Sequence, residues 1–249
     1  MYRFYVDNSM VSDESIRITG SDVNHIKNVL RMRKGEKLII CNGQGQDYYC
    51  IIADVCESEI LVDVQEKKES EAELRSKIYL FQGLPKKDKM ELIVQKAVEL
   101  GAYEIIPVIM KRTIVKLEDK KKELKKLERW QAIAEGAAKQ SGRGYVPLVH
   151  EVVTYKEALM MAKKLSANML PYECATGIAH TKECIKACCQ KDSIGIFIGP
   201  EGGFEDDEVN FAKQQGIEPI TLGKRILRTE TAGLTIMAAL MMELENSEG

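Results

Sequence analysis

Two short loops near the C-terminal end of the sequence carry the residue types best suited to bind a small molecule. The first, Ile196-Phe-Ile-Gly-Pro-Glu-Gly-Gly-Phe204, places a carboxylate between a proline and two glycines. The second, Leu222-Gly-Lys-Arg-Ile-Leu-Arg-Thr-Glu-Thr-Ala232, mixes cations with apolar residues. Each loop follows an apolar run of strand length and precedes a helix-forming run, as ligand cradles in α/β domains do. The spacing therefore predicts one ligand site built from both loops.

The first loop disfavours two common ligand classes. It lacks the G-x-G-x-x-G spacing of dinucleotide sites and the Lys-Ser/Thr ending of a P-loop. Gly202 and Gly203 would let the backbone approach a ligand closely, and Pro200 fixes the chain. A nucleotide held by its phosphates is therefore not expected here. A purely structural turn between a strand and a helix is the alternative interpretation.

The second loop supports two interpretations equally. Its cations Lys224, Arg225 and Arg228 surround the pair Ile226-Leu227, so the loop could face a flat apolar ligand on one side and phosphate on the other. Alternatively, the apolar pair fills the core, the cations are solvated, and Thr229 or Thr231 caps the last helix.

The elements that must position these loops follow from the periodicity of the sequence. From residue 77 onward, strand and helix patterns alternate about six times, which predicts a parallel sheet with helices on both faces. The predicted strands cover 78–83, 105–109, 145–149, 167–172, 193–198 and 217–222. The predicted helices cover 90–98, 119–140, 154–165, 181–190, 205–213 and 231–245, and the helix at 154 opens with a capping box.

The first 65 residues have a mostly β pattern instead of alternating strands and helices, which predicts a separate domain. Short β runs at 3–6, 37–41, 48–55 and 60–64 are interrupted by one helix near 21–30, typical of a small barrel. A charged stretch at 66–75 is a candidate linker. We therefore predict a small β-barrel domain at 1–70, a linker at 71–76, and an α/β domain at 77–249. The barrel's helix and the loop after it are rich in basic residues and could face RNA, although this pattern alone does not establish it.

Charge is distributed unevenly along a chain of net charge −2. Residues 77–147 carry 16 basic and 9 acidic side chains, a net charge of +7. This segment predicts a surface for a polyanion, although a solvated lysine-rich helix is an equally good interpretation.

The N-terminus does not resemble a signal peptide, and the longest apolar run, near 233–242, is half a membrane span. Seven cysteines without framework spacing predict reduced thiols in a cytoplasmic protein.

Histidines and cysteines give little support to metal or hydrolase chemistry. His180, Cys184 and Cys188 recur every four residues on one predicted helical face, a spacing that could hold a metal. Without a CxxC pair, buried apolar cysteines are the preferred interpretation, and no metal is expected. His25 and His150 have no evident nucleophile partner, so a catalytic triad is not predicted.

Taken together with three further motifs, the two loops resemble a known family. The further motifs are His25-Ile-Lys-Asn-Val-Leu-Arg31, Lys96-Ala-Val-Glu-Leu-Gly101 and Gln140-Ser-Gly-Arg143. The sequence is similar over nearly its whole length to the ribosomal RNA small subunit methyltransferase E family, within the SPOUT superfamily of trefoil-knot RNA methyltransferases. No one motif is specific, but the set is.

The resemblance implies the fold, the cofactor and the residues that hold it. It implies a PUA-like barrel followed by a trefoil-knot domain that binds S-adenosylmethionine and forms a homodimer through the knot. A third ligand loop would come from residues 170–173. The implied cofactor-binding residues are Leu170, Pro171, Tyr172, Glu173, Ile198, Gly199, Pro200, Glu201, Gly202, Leu222, Gly223, Ile226, Leu227, Arg228, Thr231 and Ala232.

The resemblance also implies the reaction, methylation of N3 of a uridine in 16S rRNA on the 30S subunit without a metal or a membrane. Arg228 is the candidate cation for stabilising the uracil anion, and Glu201 and Glu230 are weaker candidates for the base. The candidate RNA-binding residues are Arg3, His25, Arg31, Arg33, Lys86, Lys111, Arg112 and Arg143. Two alternatives stay open, a relative that methylates another RNA or a ribose 2′-OH, and a non-catalytic RNA-binding assembly factor.

Overall fold

The computed structural model describes residues 1–115, 119–173, 175 and 177–246. Its internal contacts divide the chain into two compact units. The first unit comprises Met1–Glu73 together with Ala138–Val146, and the second comprises the rest of the described chain. Residues 138–146 therefore belong to the first unit although they follow a long segment of the second unit in the sequence. The domain boundaries predicted from the sequence do not include this return.

The first unit is built on a five-stranded sheet in the order β1-β3-β4-β5-β2. Its strands are β1 (Tyr2–Tyr5), β2 (Ser15–Thr19), β3 (Lys37–Cys41), β4 (Gln46–Val55) and β5 (Glu59–Glu69). Strand β1 runs parallel to β3, and all the other neighbours are antiparallel. Strand β2 was not predicted. Strand β5 extends through residues 66–69 of the candidate linker, because pairing with β4 satisfies their backbone while their charged side chains stay exposed.

The predicted helix of this unit begins at Ser21 and has two parts. An α-helical turn, α1 (Ser21–Asn24), continues into a π-helical turn at His25–Val29. Val23 and Ile26 are buried against the sheet and join its core cluster. The exposed side of the turn carries His25, and the chain leaves it through Arg31, whose φ of 55° lies in the left-handed region.

The returning segment is hydrogen-bonded into the first unit. The amide of Gly45 donates to the carbonyl of Gly144 at 2.8 Å, and the amide of Val146 donates to the carbonyl of Gly43 at 3.1 Å. Gly144 also has no room for a side chain, because a Cβ there would lie 2.1 Å from that of Ser70. Backbone bonding and close packing therefore hold residues 138–146 in this unit.

The second unit is built on a seven-stranded sheet in which every pairing is parallel. The order is β12-β10-β11-β6-β7-β8, with β9 also paired to β7. The strands are β6 (Lys77–Gly83), β7 (Ala102–Ile109), β8 (Leu148–Val149), β9 (Val153–Thr154), β10 (Ala167–Pro171), β11 (Ser193–Ile198) and β12 (Glu218–Ile220). The helices are α2 (Lys89–Glu99), α3 (Lys120–Ser141), α4 (Tyr155–Ala162), α5 (Ile178–Cys188), α6 (Asp206–Gln214) and α7 (Thr229–Asn246).

Helices cover both faces of this sheet, as predicted. Phe81 and Phe197, from adjacent central strands, stack at 4.4 Å between ring centroids and are fully buried among side chains of α4 and α6. The next residue of β6, Gln82, points to the other face and bonds to Thr229 at the start of α7. The central strands read as continuous apolar runs because both of their faces are buried.

The predicted capping box is confirmed at the start of α4. The amide of Glu157 donates to the hydroxyl of Thr154 at 3.3 Å, and the Glu157 carboxylate accepts from the amide of Thr154 at 2.8 Å. The predicted helices are all present with small shifts of their ends. Of the strand predicted at 145–149, only the last two residues form a strand, which is β8. Strand β9 was not predicted. Within the described ranges, no helix is both long enough and apolar enough to cross a membrane.

Candidate active site

A cavity of about 390 Å³ lies at the carboxyl ends of the three neighbouring strands β10, β11 and β12. The carboxyl ends of parallel strands meet at one edge of a sheet, which is why loops far apart in sequence converge there. The three predicted loops all contribute to its walls, with residues 171–173, 198–204, 221–223 and 225–229. Ala232 of α7 and Lys89 of α2 complete the lining.

The lining differs from the predicted set at a few positions. Leu170 does not line the cavity because its side chain is fully buried in the core below the strand end. Thr231 is exposed on the first turn of α7 and lies outside the lining. The lining residues absent from the predicted set are Lys89, Gly203, Phe204, Thr221, Arg225 and Thr229.

Glycines allow the first loop to pack directly onto the end of β6. A Cβ at Gly83 would lie 2.5 Å from the nitrogen of Pro200 and 2.8 Å from the carbonyl carbon of Gly199. Gly203 has a φ of 70°, which favours glycine over residues with side chains. The loop is therefore held by backbone-to-backbone contact, and Gly83 was missed because its role depends on a strand far away in sequence.

A buried hydroxyl ties the two sequence-predicted loops together. The side-chain nitrogen of Gln82, which is fully buried, donates to Thr229 Oγ1 at 2.8 Å. That hydroxyl donates in turn to the carbonyl of Gly199 at 2.6 Å. The sequence signal for this link was a glutamine within an otherwise apolar strand, since a buried amide needs partners.

Replacing Thr229 with valine is expected to destabilise the protein by about 1–3 kcal/mol and to weaken ligand binding in the cavity. Valine keeps the shape but removes the partner of the Gly199 carbonyl and one of the two acceptors of the Gln82 side-chain nitrogen, which retains its bond to the Gly83 carbonyl at 3.0 Å. Urea unfolding of the two proteins measures the difference. The control is Thr235→Val on the same helix, because Thr235 is exposed and its hydroxyl bonds to the Thr231 carbonyl one turn earlier, at 2.7 Å. Equal losses in both variants would contradict the role of Thr229.

Helix α5 fixes the start of the second loop. The hydroxyl of Thr181 donates to the carbonyl of Thr221 at 2.8 Å and accepts from the amide of Thr221 at 3.1 Å. Both threonines are buried. The hydroxyl of Thr221 also accepts from the amide of Gly223, at 3.2 Å. The cavity wall formed by residues 221–223 is therefore anchored to the helix beside it.

Glu201 is held in its ionised form by its surroundings. Its carboxylate accepts from the amide of Lys86 at 3.1 Å and pairs with the Lys89 ammonium at 3.1 Å. Burial acts to raise the pKa of Glu201, but hydrogen bonds from backbone amides and the Lys89 charge outweigh it and lower the pKa. A carboxylate with a lowered pKa is a weak base, so this geometry suits a loop anchor better than a proton acceptor.

Glu230 is the second carboxylate that pairs with Lys89. Its Oε2 lies 3.4 Å from the Lys89 nitrogen, an ion-pair distance without hydrogen-bond alignment. Glu230 does not line the cavity. Lys89 therefore joins two of the three predicted catalytic residues, although it belongs to no motif that pointed to this contact.

The third predicted catalytic residue, Arg228, lines the cavity and is exposed. No ion-pair partner for its guanidinium is found among the described residues. Neighbouring Ile226 is 84% exposed, so the interpretation that it fills the core is wrong. The second loop thus presents an apolar side chain and an available cation at the cavity.

Six of the predicted RNA-binding residues are exposed, and four of them are His25, Arg31, Arg33 and Lys86. Lys111 and Arg112 are also exposed, but each pairs with an acidic residue of the 205–207 segment. Arg112 donates from Nη1 to the carbonyl of Gly202 at 2.8 Å, so it supports the first loop as well.

The other two predicted RNA-binding residues have internal partners. Arg143 is only 4% exposed, and its Nη2 and Nε donate to the Glu73 carboxylate at 2.6 Å and 2.9 Å. Arg3 donates from Nη2 to Asp47 at 2.7 Å, and its side chain is largely buried. These contacts correct the expectation that Arg3 and Arg143 bind phosphate, because both guanidinium groups hold the first unit together.

Comparison with known proteins identifies the family. A family model for an RNA methyltransferase domain matches residues 72–241, and one for an RNA methyltransferase PUA domain matches residues 18–65. Ribosomal RNA small subunit methyltransferase E of Bacillus subtilis is 36% identical over 100% of this chain and 99% of its own. The chain belongs to the ribosomal RNA small subunit methyltransferase E family. The predicted family and the predicted order of barrel and α/β domain are confirmed.

Solved structures of similar proteins agree with this membership. Ribosomal RNA small subunit methyltransferase E of Neisseria gonorrhoeae, solved bound to S-adenosyl methionine, superposes with a TM-score of 0.78. It is 32% identical and covers 97% of each chain. A putative methyltransferase of Legionella pneumophila, solved with the bound cofactor SAM, has a TM-score of 0.77 at 30% identity over 96% of each chain.

Proposed function

We propose that this chain transfers a methyl group from S-adenosylmethionine to N3 of one uridine in 16S rRNA, with the assembled 30S subunit as substrate. The observation that carries the proposal is the three-loop cavity with Arg228 exposed at its wall. Membership of the family supports the cofactor and the class of RNA.

The residues present fit S-adenosylmethionine. The cavity of about 390 Å³ falls within the range of about 300–1,000 Å³ typical of small-molecule sites. Its walls combine backbone groups of residues 198–202 and 222–223 with the apolar side chains of Ile226 and Leu227. Apolar surface for an adenine ring beside backbone donors and acceptors for its polar edge is what an adenosyl group requires. When bound, this cofactor supplies a methyl group on a sulfonium, which needs no further activation.

The protein must make uracil N3 nucleophilic and align it with the methyl group. The N3–H proton is weakly acidic, so it passes to bulk water before methyl transfer, and the negative charge that remains spreads over the uracil ring. Arg228 stabilises that charge because its guanidinium lines the cavity and has no ion-pair partner in the part of the chain that the structure describes. Glu201 and Glu230 position Lys89 and the first loop rather than accept the proton. The walls then exclude water and hold the reactants in line.

The RNA is bound through exposed cations on each unit. On the first unit these are His25, Arg31 and Arg33. On the second unit they are Lys86 and the exposed lysines at the start of α3, namely Lys120, Lys121 and Lys125. Contacts of this kind go mainly to phosphate, so affinity for RNA should fall steeply as salt rises.

The proposal extends to assembly and location. The protein forms a homodimer through its cofactor domain, as the resemblance to its family implies, and works in the cytoplasm where ribosomal subunits are assembled. The six described cysteines are free, which agrees with a reducing compartment. Sedimentation of the full chain measures the oligomeric state.

The test is transfer of radiolabelled methyl groups to 30S subunits from a strain that lacks the modification. We expect label in 3-methyluridine at one position of 16S rRNA, and more on assembled subunits than on naked rRNA. Label on a ribose 2′-OH, or on tRNA alone, would show a different target. Absence of S-adenosylmethionine binding by calorimetry at millimolar ligand would instead indicate a non-catalytic assembly factor.

A further inference from the structure

Three potential metal ligands converge outside the cavity, and we call them the His–Cys–Glu cluster. His180 and Cys184 lie one turn apart on α5, and Glu218 comes from β12. His180 Nε2 lies 2.8 Å from a carboxylate oxygen of Glu218 and 3.4 Å from the sulfur of Cys184. All three ligand atoms lie within 4.8 Å of one another.

The fold changes which residues could form a metal site. From helical spacing, the third ligand beside His180 and Cys184 would be Cys188, but that cysteine is buried and lies outside the cluster. Glu218 takes its place because α5 packs beside β12. This contact between two elements cannot be inferred from the spacing of residues along one helix. The His–Cys–Glu cluster therefore draws its ligands from two elements, so binding an ion would connect them.

We propose that the His–Cys–Glu cluster binds a divalent transition-metal ion of the Zn²⁺ class. Imidazole nitrogen, thiolate sulfur and carboxylate oxygen together are the ligands that Zn²⁺ takes, whereas Mg²⁺ and Ca²⁺ select oxygen alone. Tetrahedral coordination with bonds of about 2.0–2.3 Å places ligand atoms about 3.3–3.8 Å apart. The observed 2.8 Å and 3.4 Å separations reach that geometry by small side-chain rotations.

Exposure and proton balance are both compatible with binding. The side chains of His180 and Glu218 are 48% and 54% exposed, so an ion can enter and a water molecule can complete the fourth position. As the metal–sulfur bond forms, the S–H bond of Cys184 breaks and its proton goes to water. His180 binds through Nε2 as neutral imidazole, in place of its present hydrogen bond to Glu218.

A bound ion would affect the wall of the cavity through one residue. Thr181 follows His180 on α5, and its hydroxyl bonds to both backbone groups of Thr221. The cavity wall formed by residues 221–223 follows β12 and is hydrogen-bonded to α5. An ion that joins α5 to β12 would therefore restrain this wall. An ion that binds the folded state alone raises its free energy of unfolding, and the gain grows with the logarithm of ion concentration above the dissociation constant.

Cobalt(II) titration of the full reduced chain tests the proposal, because cobalt replaces zinc and absorbs light. We expect saturation at one ion per chain, a cobalt–thiolate charge-transfer band, and displacement by Zn²⁺. Cys184→Ser should abolish the charge-transfer band, and His180→Gln and Glu218→Gln should each weaken binding by at least about tenfold. Thermal melting without metal should leave Cys184→Ser close to the parent, which excludes misfolding.

Cys56→Ser is the matched control, since Cys56 is partly exposed and lies in the first unit. It should bind cobalt as the parent does. A titration with no thiolate band would overturn the proposal and leave a simple His180–Glu218 hydrogen bond. A band that survives Cys184→Ser and disappears with Cys56→Ser would overturn it as well.

Discussion

Replacing Arg228 with alanine is expected to lower the rate of methyl transfer by about a hundredfold or more, while S-adenosylmethionine affinity stays nearly unchanged. The guanidinium lines the cavity without an internal ion-pair partner among the described residues, so its charge is available to the uracil anion. That charge develops only as the N3 proton leaves, so its loss lowers kcat more than it weakens binding. Single-turnover kinetics on 30S subunits and calorimetry with the cofactor measure the two quantities separately.

Two further variants sharpen the test of Arg228. Arg228→Lys should recover part of the rate because it keeps the charge but loses the planar donor geometry. Lys224→Ala is the control, since Lys224 is an exposed cation of the same loop that does not line the cavity. If Arg228→Ala weakened cofactor binding as much as it slowed transfer, Arg228 would be a cofactor-binding residue. An unchanged rate would remove its catalytic role altogether.

Replacing Gly83 with alanine is expected to destabilise the protein by about 3 kcal/mol and to abolish cofactor binding. The added methyl group would lie 2.5 Å from the nitrogen of Pro200, and it meets backbone there instead of a side chain that can rotate away. Either β6 or the first loop must shift, and that loop forms one wall of the cavity. Urea unfolding and cofactor calorimetry measure both effects.

Gly136→Ala is the matched control for Gly83→Ala. Gly136 is exposed within α3, and a Cβ there meets nothing within 4 Å. Because alanine favours helix over glycine, this variant should stabilise the protein by about 0.5–1 kcal/mol. A Gly83→Ala protein as stable as the parent, with cofactor affinity retained, would mean that the close approach of loop and strand is not required.

Elements with strong local patterns could be predicted well. Strand β11 matches its prediction at both ends, since a run of apolar residues buried on both faces is a distinctive signal of a central parallel strand. The capping box at Thr154 was likewise found, because both of its partners lie within four residues. The short strands β2 and β9 were missed, since pairing with neighbours distant in sequence defines them.

The loops that form the candidate site could be predicted from the sequence, but the contacts between their side chains and the rest of the protein could not. Glycine-bearing turns after apolar strands located the cavity, because that signal is local. Lys89 was missed because a cation on an earlier helix gives no sign of which carboxylates it will meet. Arg143 was wrongly predicted to bind RNA for a similar reason. Its partner Glu73 is remote in sequence, and its burial depends on the fold.

The return of residues 138–146 to the first unit sets the order in which the protein can fold during synthesis. When Glu73 leaves the ribosome, the groups that its carboxylate will bind, which are the amides of Gly144 and Tyr145 and the Arg143 side chain, do not yet exist. At about 5–20 residues per second, the segment that begins at Ala138 follows about 3–13 s later. The N-terminal unit therefore cannot complete itself first. It lacks residues 138–146 until β6, β7 and most of α3 have been made, so the docking of this segment is a late step of folding.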